Sequence, residues 1–142
     1  MDIKRLSKIA GILVVFVLIG TRINAQERNE VIKSYNEGAK VMQTDPKAAL
    51  VAFENVITLS DKVGETAADL KQKAVQVLPG LYIKVANTAI TEKKTAPEII
   101  RAARTAIAVA EKYGNATSKG NAEKLLVQGY YNMGTGFFTQ KA

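Results

Sequence analysis

Few side chains in this sequence are equipped for a reaction. It contains no cysteine and no histidine, which removes disulfides, thiolate metal sites, cysteine nucleophiles, histidine triads and the usual zinc ligand sets. Carboxylates are what remain for acid–base work. Asp61, Glu65 and Asp69 would share a face if one helix ran through them, the arrangement paired-carboxylate catalysis needs. Gly64 stands between them and argues for a helix end instead. No loop gathers oxygen ligands in the manner of a calcium site. The three glycines from Gly129 to Gly136 fall at helical spacing, which suits close helix packing rather than a phosphate-cradling loop. Asn115-Ala116-Thr117 is a glycosylation triplet that reads more simply as a turn, and Lys93-Lys94 reads as a solvated loop. The expectation is a protein with no catalysis of its own and no metal or cofactor, acting through surface recognition.

The elements that would position such a surface begin after a leader. Lys4, Arg5 and Lys8 precede an apolar run from Ile9 to Gly20, and Thr21 to Ala25 then turns polar and ends in a small residue. This is the layout of a secretory signal peptide, cleaved between Ala25 and Gln26. The run is short for a membrane span, which needs about 20 apolar residues. The competing reading is an uncleaved N-terminal anchor, helped by Arg22. Either way the remainder is expected to be exported, to the periplasm, the outer membrane or the medium.

The chain has 142 residues, 47% of them hydrophobic, enough for one domain with a core. Its net charge of +7 is shared out as +3 over residues 1–25 and +4 over the rest. Basic residues are interleaved with acids, as in Glu111-Lys112 and Glu123-Lys124, so a solvated surface is expected rather than the basic stripe of a nucleic-acid binder.

From Gln26 onward helix formers dominate, and apolar residues recur at spacings of three and four. About five helices are predicted. The first spans about Glu27 to Gln43 and the second Pro46 to Lys62, with Asp45 as its cap. The third spans Thr66 to Thr91, with a kink or break at Pro79-Gly80. The fourth runs from Pro97 to Tyr113, capped by Thr95. The fifth runs from Asn121 to Gln140, after a loop reaching Gly120.

Within these helices a short motif recurs. Tyr35-Asn36-Glu37-Gly38 returns as Tyr131-Asn132-Met133-Gly134, followed three residues after each glycine by Val41-Met42 and Phe137-Phe138. In the second helix, Ala49 precedes Phe53 by four residues. This pattern resembles the tetratricopeptide repeat family. Glu37 and Val56 depart from the family's usual residues, and Ala106 follows Val56 by 50 residues where the family's period is about 34. A plain helical bundle is the alternative. The resemblance implies an all-α fold of antiparallel helix pairs stacked as a short right-handed superhelix over residues 26–142. With the fifth helix lacking a partner, it also implies a chain cut inside a third repeat.

The resemblance further implies that first helices line a concave groove for a peptide or protein partner. Its candidates are Tyr35, Asn36, Ala39 and Met42, then Gln128, Tyr131, Asn132, Thr135 and Phe138. Asparagines would donate and accept to a peptide backbone, and tyrosines would supply rigid contact area. Tyr35, Met42 and Phe138 are equally readable as packing residues. The expectation is an exported, non-catalytic protein–protein interaction scaffold. It has no nucleic-acid partner and meets a membrane only through its leader or an envelope complex. The alternative is a structural helical bundle tethered to the inner membrane by an uncleaved anchor.

Overall fold

The structure, a computed structural model, describes residues 26–139, with side chains as far as 136. The expected signal segment, residues 1–25, lies outside the described residues. Every regular element among the described residues is helical: α1 (26–41), α2 (Pro46–Val63), a 3-10 turn (Gly64–Ala67), α3 (Ala68–Thr91), α4 (Ala96–Lys112) and α5 (Ala116–Thr139). The expectation of about five helices therefore meets four bounded helices, α2 to α5, and one helical stretch whose first turn abuts the edge of the described residues.

Local chemistry sets most of the ends. Asp45 caps α2, its Oδ1 accepting the Ala48 N–H at 3.0 Å, with Pro46 at the first helical position, where a missing N–H costs nothing. Thr95 caps α4, its N–H and hydroxyl donating to the Glu98 carboxylate at 2.9 and 2.6 Å. Gly64 and Gly114 follow α2 and α4 with φ of 80° and 66°, the left-handed conformation that a side chain resists.

Two expected boundaries are corrected. The fifth helix starts at Ala116 and not at Asn121, because Asn115 Oδ1 accepts the Ser118 N–H at 2.9 Å and so caps a helix where a loop was expected. α3 runs without a break through Pro79. An interior proline costs about 3 kcal/mol, but Leu78 and Leu81 are each only 2% exposed, and each buried leucine contributes about 1.5–3 kcal/mol. Packing outweighs the lost hydrogen bond.

Sequential helices are antiparallel. Ser34 on α1 donates to the Ala52 carbonyl on α2, Asp61 on α2 pairs with Lys71 on α3, and Lys119 on α5 pairs with Glu111 on α4. α1 and α3 are parallel: Arg28 bonds Asp69 at 3.0 Å near their starts, and Lys84 bonds Gln43 at 2.7 Å near their ends, each pair 41 residues apart. α3 packs on α2, α4 and α5, whereas α2 and α4 make no backbone-level contact among the described residues.

α2 and α4 also correspond position by position. Ala49, Phe53, Val56 and Ser60 are buried, as are Ile99, Ala103, Ala106 and Ala110, each 50 residues further on. The caps Asp45 and Thr95 and the terminal glycines Gly64 and Gly114 keep the same interval. A second helix thus recurs with its cap, inner face and stop.

Candidate functional site

The recurring motif does not place its two glycines alike. Gly38 is buried against α2: a Cβ there would lie 3.0 Å from the Phe53 ring and 3.2 Å from Ala52. Gly134 has no described atom within 4 Å of such a Cβ. The glycine that seats α5 is Gly129, whose Cβ would stand 2.8 Å from Ile100 and 3.2 Å from Ile99. Among the described residues, Tyr-Asn-x-Gly therefore marks a helix–helix approach in α1 and none in α5. The approach in α5 occurs five residues earlier, against the preceding helix.

The candidate recognition residues fall into two groups. In α1, Tyr35 is half-buried with its ring edge-on to Phe53, centroids 5.3 Å apart and planes at 85°. Met42 also packs against the core, while Asn36 and Ala39 are exposed. In α5, Tyr131 is 66% exposed. Gln128 donates to Asn132 Oδ1 at 2.8 Å, and Thr135 donates to the Tyr131 and Asn132 carbonyls at 3.2 and 3.1 Å. Phe138 lies outside the described side chains. α3 stands between the groups, holding Arg28 of α1 and packing on α5.

Adjacent tyrosines on α5 are both exposed but differ in their neighbours. Tyr130 accepts a 2.6 Å hydrogen bond from Arg104 on α4, which turns it toward the body of the protein. Tyr131 turns outward beside Val127, itself 68% exposed. At about 100° per residue, Val127, Tyr131 and Gly134 lie on the side of α5 opposite Gly129. Val127 is apolar and sits on the side away from the Gly129 contact, and its place in the helical period is the signal that the sequence holds.

A second surface was not expected. Because α2 and α4 stand apart, a trough opens between them with α3 as its floor. One cavity of about 350 Å³ is lined by Glu54, Ile57, Leu78, Tyr82, Val109 and Tyr113 among others. A second, of about 320 Å³, continues past Tyr82 to Lys47, Glu92, Lys94 and Arg101. The Tyr82 hydroxyl donates to Glu54. Burial first, then this carboxylate, push its pKa up, so the phenol keeps its proton. Lys112 lies 5.2 Å from the Tyr113 ring centre, within cation–π range. Most charges at the charged end are already engaged: Glu92 takes Lys47 at 3.4 Å and Lys94 at 3.6 Å, and Glu98 serves the α4 cap. Nothing in the spacing of Glu54 and Tyr82 foretells their meeting, which depends on the register between α2 and α3.

Two of the carboxylates weighed for catalysis are engaged in ion pairs. Asp61 engages Lys71, and Asp69 engages Arg28. No family model, curated protein or solved structure matches this chain.

Proposed function

We propose that this chain is an exported, non-catalytic scaffold of the tetratricopeptide type that holds a protein or peptide partner on its odd-numbered helices. The observation that carries the reading is the stacking order. α1 and α3 run parallel in one layer, joined by Arg28–Asp69 and Gln43–Lys84, and α3 packs on α5. The second helices α2 and α4 repeat at 50 residues with no backbone-level contact among the described residues. Such an order builds a surface out of successive first helices, and a pair of this kind leaves apolar area that a neighbour covers. The exposed tyrosine and its asparagine neighbour supply contact area and paired donor–acceptor groups.

The test is capture of envelope proteins by the tagged chain, comparing wild type with Tyr131→Ala and Asn132→Ala. Loss of the same captured protein in both variants, with helicity unchanged by circular dichroism, is the expected result. Equal recovery by well-folded variants removes these residues from the proposal.

A further inference from the structure

We infer that the trough between α2 and α4 binds a long-chain aliphatic carboxylate, with its hydrocarbon laid along α3 and its carboxylate on Arg101. The site shares no residue with the Tyr131 and Asn132 surface, so it goes beyond the scaffold reading and stands without it.

The shape comes from three helices. Leu78, Tyr82, Val85 and Ala89 of α3 line the trough in turn, at spacings of four, three and four that keep them on one helical face. Eleven residues of helical rise make this floor about 16 Å long. A carboxylate with about a dozen extended carbons has that length. Ile57 of α2 and Val109 of α4 wall the Leu78 end, and Ala102 joins Val85 and Ala89 at the other. The cavities of about 350 and 320 Å³ both include Tyr82, and each has the size of a small-molecule cleft.

The state of the hydroxyls selects hydrocarbon over a peptide. Thr58 donates to the Glu54 carbonyl at 3.2 Å, Thr105 to the Arg101 carbonyl at 3.0 Å, and Tyr82 to the Glu54 carboxylate. Among the described lining residues only the Tyr113 phenol keeps a hydroxyl proton to give. A peptide laid from Tyr113 to Arg101 would leave the carbonyls turned toward α3 unpaired, at a cost of about 1–3 kcal/mol each. Hydrocarbon needs no such partner.

The sign of the head group follows from which charges are spent. Lys47 and Lys94 both engage Glu92, and Glu98 accepts from Thr95. Arg101 forms no ion pair among the described residues, and Glu98, one turn earlier, meets it only through space. Its guanidinium offers five donors in a fork that fits a carboxylate. The helix repeat does not demand an arginine there, since Val51 holds the matching place in α2. At the other end Glu54 and Lys112 carry opposite charges, so the surplus positive charge lies at Arg101.

The test is titration of the isotopically labelled full chain with dodecanoate below its micelle concentration, followed by amide NMR shifts. One saturable site is expected, with a dissociation constant below about 1 mM and shifts gathered on α3 and α4 along the trough. Dodecylamine and hexanoate should each bind at least about tenfold more weakly. Arg101→Glu and Arg101→Gln should each weaken dodecanoate at least about tenfold, with helicity unchanged. Arg104→Glu makes the same charge change where the side chain bonds Tyr130 instead, and should leave the constant within about twofold. Equal binding of dodecylamine, an unchanged constant in Arg101→Glu, or no saturable site up to about 5 mM overturns the inference. So does an acidic peptide of alternating aspartate and leucine that fills the trough when dodecanoate does not. Tyr131→Ala and Asn132→Ala should not move the dodecanoate constant. Partner capture that ignores those two changes removes the scaffold surface and leaves this site. A chain that captures through Tyr131 but binds no dodecanoate does the reverse.

Discussion

Gly129 lies so close to Ile100 that a methyl group on it would stand 2.8 Å from the isoleucine Cγ1. Ile99 and the Ile100 backbone nitrogen, at 3.2 and 3.3 Å, leave little room to yield. α4 and α5 therefore meet at the one residue type that permits the distance.

Glycine-to-alanine changes should thus differ in sign along this chain. Gly129→Ala gains up to about 1 kcal/mol in helix propensity, but overpacking of this kind costs about 1–3 kcal/mol, so a net loss is expected. Gly80 sits inside α3 with no described atom within 4 Å of its Cβ position, and Gly80→Ala should stabilise by about 0.5–1 kcal/mol. Thermal unfolding of both variants checks the contrast, and equal shifts would contradict the close approach at Gly129.

Ser60 is 2% exposed, and its hydroxyl has no partner among the described residues. Fifty residues further on, the matching position holds Ala110, fully buried. An unpaired buried hydroxyl costs about 1–3 kcal/mol, so Ser60→Ala should leave stability unchanged or raise it. Denaturant unfolding measures this. A loss above about 1 kcal/mol would mean that the hydroxyl has a partner.

Acid should loosen the fold through two carboxylates. Hydrogen bonds from the Thr95 hydroxyl and N–H hold Glu98 below the usual carboxylate range, and the Arg28 hydrogen bond does the same for Asp69. The folded state therefore binds these protons less readily than the unfolded chain. Their contribution is complete above the ordinary carboxylate pKa and is lost as pH falls through the lowered values. Glu98→Gln and Asp69→Asn should each flatten the fall in melting temperature between about pH 5 and pH 2. A wild-type slope retained in the double variant would assign the acid sensitivity to other groups.

How far the sequence spoke depended on the range of the interaction. The caps Asp45 and Thr95 and the stop at Gly64 were legible because each acts within one turn. The cap at Asn115 obeys the same local rule, yet the residues before Gly120 read as a loop and hid it. The α5 candidates Gln128, Tyr131, Asn132 and Thr135 do lie together on one helix, since helical spacing is a property of sequence. Their α1 counterparts divide: Tyr35 and Met42 turn into the core while Asn36 and Ala39 face water. Spacing alone does not say which flank of a helix its neighbours cover.

The sequence by itself determined that residues 26–139 form helices and where most of them stop, because hydrogen bonds within four residues and a 3.6-residue apolar period decide those matters. Only the tertiary structure decided that α3 continues through Pro79, that Gly129 rather than Gly134 seats α5, and that α2 and α4 stand apart over a trough. Each of these is a balance between a local penalty and contacts from residues distant in the chain, and no local pattern contains the second term.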